Sequence, residues 1–302
     1  MPSSARDTLL ADLGAEGDPG VEAGRPGTAR RLRGRRIPPT VVLSVLVIVV
    51  VLGSAVAPSL LAGQDPINGV PSDKLASMSG THWLGTDYLG RDMYARIVHG
   101  ARTSVLSAIL AVAVAVSLGT LTGLAAALGP RWLETPLMRL IDVLLAIPSL
   151  LMAMVFVAAF GFSSGNAAVA VGLSMIATFA RVARVEALRV RSAPYIEAAE
   201  IAGTTRVGVV VAHLLPNIAT TLISLAVLEF GAAILALSTL SFLGFGAQPP
   251  SPEWGQLVAE GANFFYAAPW LVYAPAAVVV IVVLAVNRLS TYLDARAFDE
   301  SL

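Results

Sequence analysis

Cysteine, lysine and charged residues in general are all scarce in this sequence. No cysteine occurs among the 302 residues, which excludes disulfide bonds and thiol chemistry. Lys74 is the only lysine, and the residues around it do not form the Gly-Lys-Ser/Thr tripeptide with which a P-loop holds phosphates. If ATP drives this protein, another chain must bind it.

The low charge points to a membrane protein. Charged residues make up 13% of the chain and hydrophobic residues 56%, and the mean hydropathy is +0.76. Soluble domains usually carry about 25% charged residues. The net charge is zero, but it says little about partners because the charges are segregated along the chain.

Long charge-free stretches predict six membrane-spanning helices. A span needs about 20 apolar residues. The stretch 143–180 would make a helix of about 57 Å, which is too long for one crossing. Its centre, Gly161–Gly165, has the composition of a turn and divides it into two spans. The predicted spans are about 40–62, 103–128, 138–160, 166–185, 217–243 and 268–288.

The arginines predict that both termini are cytoplasmic. With the N-terminus inside, the cytoplasmic segments hold most of the arginines, whereas the outside turns at 161–165 and 244–267 hold neither lysine nor arginine. The loop 186–216 is then cytoplasmic. Residues 1–36 are rich in Gly, Pro and Arg and predict a disordered basic cytoplasmic tail. A cleaved signal peptide ending at Ala57 is the less favoured alternative, because its apolar run is long and Pro58 follows directly.

A short helix is predicted in the cytoplasmic loop, in the stretch YIEAAEIAGTTRVGVVVAHLLPN. Pro194 suits a first helical turn, Glu197 and Glu200 lie where the helix dipole favours negative charge, and Gly203 suits the left-handed residue after the last turn. About nine helical residues are too few to be stable alone in water. This helix must therefore dock, either on a partner protein or on its own bundle, and the residues alone leave both open.

The same loop resembles the signature of ATP-binding-cassette importer permeases. The resemblance lies in Glu197-Ala198-Ala199, then Gly203, and then, after nine intervening residues, His213-Leu214-Leu215-Pro216. The histidine, where the general signature has Ile, is typical of the dipeptide/oligopeptide/nickel branch. Three further stretches are similar to that branch and extend the resemblance over most of 40–295: His82–Val105, Arg139–Leu151 and Leu240–Val258.

The resemblance implies an all-α, six-span permease of the type I importer fold in a bacterial plasma membrane. It implies a second, distinct permease subunit, two cytoplasmic ATPase domains that bind ATP and Mg, and an extracytoplasmic binding protein. This chain would bind no cofactor, metal or nucleic acid and would have no catalytic residue. The loop would form the coupling helix against the ATPase, and Leu215 and Pro216 would anchor it to span five. The implied coupling residues are Glu197, Ala198, Ala199, Glu200, Gly203, His213, Leu215 and Pro216.

Glu229 is nearly the only charge deep in a span. A carboxylate there faces a cavity, a partner or a substrate path, so Glu229 either contacts substrate in the translocation pathway or packs against a neighbouring helix. The branch often carries Glu where this chain has Leu237, so no role transfers to Glu229. Pro148 is expected to bend the third span and to shape the pathway wall.

Two smaller predictions concern loops and span ends. Arg139 and Asp142 lie one helical turn apart and are expected to pair. In the first outside loop, Asp87, Arg91 and Asp92 are expected to form a self-paired turn that also meets a binding protein; the D-x-D-x-D-G spacing of a Ca²⁺ loop is missing.

Enzymatic and self-sufficient transport functions are disfavoured. Gly161–Gly165 matches the G-x-S-x-G pattern of hydrolases, but predicted spans flank it and His213 lies on the opposite side of the membrane. A secondary transporter would need more charges within its spans and would not need a docking helix. The predicted function is therefore a permease of an ATP-driven importer, for di- or oligopeptides first and for nickel or another small solute as the alternative.

Overall fold

In the computed structural model, the structure describes residues 38–300, without the side chains of Glu200, Arg206 and 294–300. The predicted tail 1–36 lies outside the described residues. Within 38–300 the chain is helical and has no β-strand, only an isolated bridge between Thr86 and Asp92. The helices are α1 (Pro39–Val56), α2 (Pro58–Leu61), α3 (Met93–Leu128), α4 (Arg131–Ala146), α5 (Ser149–Phe160), α6 (Ser164–Arg191), α7 (Pro194–Ile201), α8 (Arg206–Val209), α9 (Leu215–Phe242), α10 (Trp254–Ala262) and α11 (Trp270–Glu300).

The predicted all-helical membrane fold is confirmed. Five segments are long and apolar enough to cross a bilayer, and α4 with α5 makes a sixth if the bent pair counts as one span. Helix α3 extends well beyond the predicted span at its N-terminal end. It begins at Met93 because the carboxylate of Asp92 caps it, accepting the Ala95 N–H at 2.8 Å.

The predicted third span is two helices rather than one bent helix. Helices α4 and α5 meet at 95° across Ile147 and Pro148. Pro148 has no N–H to continue the helix, and the residue before a proline avoids helical geometry. Ile147 accordingly has φ −87° and ψ 127°, an extended conformation. The break leaves backbone ends at the depth of the membrane, which is tolerated only where protein or a cavity covers them.

Small residues hold the centre of the bundle together. Helix α3 packs along α6, and buried alanines line the contact on both. A Cβ at Gly172 would lie 2.6 Å from the Ala111 carbonyl oxygen, and one at Gly123 would lie 2.8 Å from the Ala183 Cβ. The two backbones therefore approach more closely than any side chain at these glycines would permit, as is common between helices in lipid.

The expected pair between Arg139 and Asp142 does not form. Asp142 instead accepts a hydrogen bond from Arg181 on α6, at 2.7 Å from Nη2. Arg139 is exposed. The reason is that α4 packs against α6, which places arginines of α6 beside the carboxylates of α4. Glu134 on α4 likewise pairs with Arg184 on α6.

Candidate coupling loop and translocation cavity

Helix α7 presents its acidic and alanine face to solvent. Ile196 is 1% exposed and packs into the main core, whereas Glu197 and Ala198 are exposed and Ala199 is half-buried. Gly203 follows with φ +89°, a left-handed conformation that L side chains rarely adopt. One buried isoleucine thus fixes the helix while its opposite face remains open to a partner.

Large apolar side chains surround this open face. Ile201 is 81% exposed, Val207 73% and Tyr195 48%, and all three lie in the connection between α6 and α9. In the predicted topology this connection is cytoplasmic, so these side chains meet water rather than lipid. Several exposed large apolar side chains close together in sequence beside a short helix are consistent with a protein-interaction site.

A π-helical turn joins this loop to α9. The turn spans Val210–Leu214, and the Leu215 N–H donates to the Val210 oxygen five residues earlier. Pro216 follows and has no N–H for the carbonyl four residues before it, which is why regular α-helical bonding fails here. His213 lies in the last part of the turn, with its ring centroid 6.3 Å from that of Tyr195, and its carbonyl accepts the Asn217 side-chain N–H at 2.6 Å. Pro216 therefore lies at the junction where π-helical bonding of the loop gives way to the α-helical bonding of α9.

Glu229 and Pro148 line one cavity. The cavity has a volume of about 400 Å³ and lies where the α4–α5 break meets α6 and α9. Glu229 makes no hydrogen bond or ion pair with any group in the described part of the chain. A charge at mid-membrane costs about 2.5–3.5 kcal/mol on insertion scales. The structure thus places on one cavity the two residues that the sequence analysis named as candidates for the pathway wall.

Comparison with known proteins identifies the family. Residues 116–299 match the model of the binding-protein-dependent transport system inner membrane component. The chain is 39% identical to the dipeptide transport system permease protein DppC of Alkalihalophilus pseudofirmus over 72% of each chain. It is 36% identical to the probable D,D-dipeptide transport system permease protein DdpC of Escherichia coli, over 88% of this chain and 92% of the relative. It is 37% identical to the glutathione transport system permease protein GsiD of Pectobacterium atrosepticum over 70% of each.

The chain belongs to this family of inner-membrane permeases. It is the multi-pass permease subunit of an ABC importer and is not itself the ATPase. A binding-protein-dependent system also contains an ATPase and a substrate-binding protein, so both belong to its partners. The family assignment removes the secondary transporter and the membrane-embedded hydrolase from consideration.

The first outside loop of the permease is built around a buried carboxylate. The Asp87 side chain accepts the N–H groups of Leu89 and Arg91, the Arg91 Nε at 2.6 Å and the Arg96 Nη1 at 2.6 Å. Gly85 and Gly90 take left-handed conformations on either side of it. Asp87 and Arg91 are each 2% exposed, and Asp92 is 6% exposed. These three residues therefore hold the loop together, and a contact with the binding protein remains a prediction for the surface around them.

Sequence reasoning missed the residues that fasten this loop to the rest of the permease. Arg96 donates to Glu260 on α10 at 2.8 Å, and Glu253 caps α10 while accepting the Ser104 hydroxyl at 3.1 Å. The Trp254 indole donates to the Ile97 oxygen at 3.0 Å. The sequence feature that could have indicated these contacts is Glu253-Trp254, which follows a proline-rich turn in the stretch Leu240–Val258.

The G-x-S-x-G pattern is a helix cap in the permease. The Ser163 hydroxyl accepts the Asn166 N–H at 3.1 Å at the start of α6, and the Asn166 side chain donates to the carbonyls of Phe160 and Gly161. No histidine is among these contacts. Among the described residues, no group of three or more His, Cys, Asp or Glu is arranged to hold a metal ion.

Proposed function

We propose that this permease imports di- or oligopeptides that a binding protein delivers from outside the cell. The names of the similar permeases support a peptide substrate, since they describe transport of dipeptides, D,D-dipeptides and glutathione. The single observation that carries the coupling mechanism is the burial pattern of α7, in which Ile196 is buried while Glu197 and Ala198 are exposed beside exposed apolar side chains. Such a surface suits insertion into a groove of an ATPase subunit.

The coupling residues have distinct proposed roles. Glu197 offers a charge-assisted hydrogen bond to the ATPase, and Ala198 and Ala199 permit close approach of its groove. Glu200 is proposed as a second acidic contact from the sequence alone. His213, Leu215 and Pro216 transmit the displacement of α7 to α9 through the π-helical turn. Closure of two ATP-bound ATPase domains would then rock the spans between inward-facing and outward-facing arrangements.

The complete importer is proposed to contain a second, distinct permease subunit. The translocation pathway would run between the two permeases, with Glu229 and Pro148 on the wall that this chain contributes. The cavity at the α4–α5 break supports this assignment, because an unpaired carboxylate and broken backbone occur together at membrane depth.

The test is co-purification of the assembled importer. The permease is co-expressed with the second permease, the ATPases and the binding protein, and the amount of bound ATPase is measured in wild type and in Glu197→Arg and Gly203→Pro. We expect both variants to lose ATPase, the second because proline cannot adopt a positive φ. Asp65→Arg, the same charge change in the first outside loop, serves as the control and should retain it. ATPase binding that survives both loop variants would refute the coupling role of α7.

The peptide assignment is tested separately by uptake. Proteoliposomes that contain the wild-type importer should accumulate labelled trialanine when both ATP and loaded binding protein are present. Accumulation without ATP, or none with a binding protein that holds the peptide tightly, would contradict the proposed transport reaction.

A further inference from the structure

Glu229 is the only formally charged side chain on the wall of the cavity at the α4–α5 break. It is half-buried and has no partner among the described residues, although carboxylates removed from water are normally paired. Helix α4 ends and α5 begins at this same wall, so their opposite dipole ends largely cancel. The net electrostatic preference of the cavity is therefore for a cation.

The rest of the wall suits an ammonium group. The cavity is lined by the hydroxyl-bearing residues Ser149, Ser174 and Thr178. Ser174 donates its hydroxyl hydrogen to the Val171 oxygen at 2.7 Å, which leaves the oxygen lone pairs to accept from a ligand. A carboxylate beside acceptor hydroxyls matches the three N–H donors of an ammonium. The remaining lining residues are apolar.

The cavity is also part of a longer passage. A second cavity of about 190 Å³ shares four lining residues with it, among them Ser149 and Ser174, and extends to Thr239 near the end of α9. Both cavities lie on α5, α6 and α9. An ammonium passing along this wall would meet hydroxyl groups first and Glu229 at the centre of the span.

We propose that Glu229 binds the amino-terminal ammonium of the peptide during its passage through the membrane. This inference rests on the proposed peptide import. Glu229 would then determine specificity within the permease. After release from the binding protein, a peptide with a free amino terminus would be transported in preference to the same peptide with a blocked amino terminus. The alternative is that Glu229 pairs with a cation of the second permease, and this is one outcome of the test.

The experiment compares two probes in the reconstituted importer, trialanine and N-acetyl-trialanine. Affinities for the binding protein are measured first, and each peptide is then supplied at a concentration that saturates it. In wild type we expect uptake of the free peptide to exceed that of the acetylated peptide by about tenfold, the scale set by one charge-assisted hydrogen bond. In Glu229→Gln the ratio should fall towards one, through slower uptake of the free peptide.

Asp142→Asn is the matched control, because it removes a carboxylate that pairs with Arg181 and does not line the cavity. This variant should keep the wild-type ratio. Equal slowing of both peptides in Glu229→Gln, with the ratio unchanged, would assign Glu229 to a structural pair and overturn the proposal. Absence of peptide uptake by the wild-type importer would instead refute the proposed peptide substrate itself.

A second readout uses the lack of cysteine in this chain. Glu229→Cys is introduced into the assembled importer and treated with a cationic, water-soluble methanethiosulfonate reagent, and modification of this chain is followed by mass. We expect reaction at position 229, because the cavity must admit water and an ammonium. Gly53→Cys places a thiol at an exposed position of α1 outside the cavity, and the extent of modification there is compared with that at position 229. If position 229 resists a reagent that modifies other engineered cavity positions such as Thr178→Cys, Glu229 does not face the passage.

Discussion

Arg96 on α3 and Glu260 on α10 are joined by a partly buried ion pair, with 2.8 Å between Nη1 and Oε2. The same nitrogen lies 2.6 Å from the Asp87 carboxylate, so one guanidinium connects the outside loop, the long helix and the outside helix. Arg96 is 1% exposed. Without Arg96, the Asp87 and Glu260 carboxylates would share Arg91 as their remaining arginine partner, so the loss of Arg96 should weaken this cluster.

Arg96→Leu should destabilise the permease by about 1.5–3 kcal/mol, the usual contribution of a hydrogen bond to a charged group, because Arg91 still contacts both Asp87 and Glu260. Arg96→Lys should recover part of this loss, because both bonds come from a single nitrogen and the Nε and Nη2 atoms have no partner in the described residues. Thermal unfolding in detergent measures the effect. Arg139→Leu, at an exposed arginine, is the control, and equal unfolding temperatures for all variants would contradict the role of the pair.

Gly123→Leu should separate α3 from α6. The new side chain would meet the Ala183 Cβ and the backbone of α6, and overpacking of this kind typically costs about 1–3 kcal/mol. Gly53→Leu provides the matched control, since nothing lies within 4 Å of a Cβ at that helical glycine. Unfolding temperature and yield of monodisperse protein are the measurements. Similar losses for both variants would indicate a general effect of leucine rather than the close helix contact.

Gly203→Val should weaken ATPase coupling through the backbone and not through a clash. No atom of the described part of the chain lies within 4 Å of a Cβ at Gly203, but φ is +89°, which a β-branched residue does not tolerate. Gly203→Asn should retain more coupling, since asparagine adopts left-handed conformations more readily. ATP hydrolysis stimulated by loaded binding protein is the readout. If valine and asparagine behave alike, the left-handed conformation is not required for coupling.

Pro216→Ala should change the register of the loop relative to α9. Alanine restores an N–H at position 216, which permits α-helical bonding in place of the π-helical turn at Val210–Leu214. Removing the extra residue of a π turn rotates the preceding segment by about 100° around the helix axis. We expect an intact complex in which stimulated ATP hydrolysis and transport are both reduced severalfold. Pro39→Ala, at the start of α1, tests whether loss of a helix-end proline alone has this effect.

Local patterns account for what was predictable about the coupling loop. Pro194, the acidic first turn and Gly203 each act through the backbone of their own segment, so the short helix and its left-handed end could be predicted from residue type. The break at Pro148 was predicted as a bend, but its angle was not. The angle between α4 and α5 depends on how both helices pack against α6 and α9, which residue order alone does not specify.

Partner choice between helices was not predictable. Asp142 has Arg139 one turn away and yet bonds Arg181, because the packing of α4 on α6 turns the carboxylate towards α6. The pairing of Arg96 with Glu260 was equally unpredictable, because each residue viewed in the sequence indicates only a charged side chain near a membrane face. Helical periodicity specifies which residues share a face, and it carries no information about which other helix covers that face.

The membrane class, the helical spans and the short exposed loop helix could be predicted from residue order alone, because hydropathy, proline and glycine act over distances of a few residues. Two relationships depend on the packed bundle: Glu229 has no partner among the described residues and lies with Pro148 on one cavity, and Arg96 joins Asp87 to Glu260. These relationships depend on the close approach of α3 to α6 and on the 95° break. Both arise from the packing of whole helices against one another.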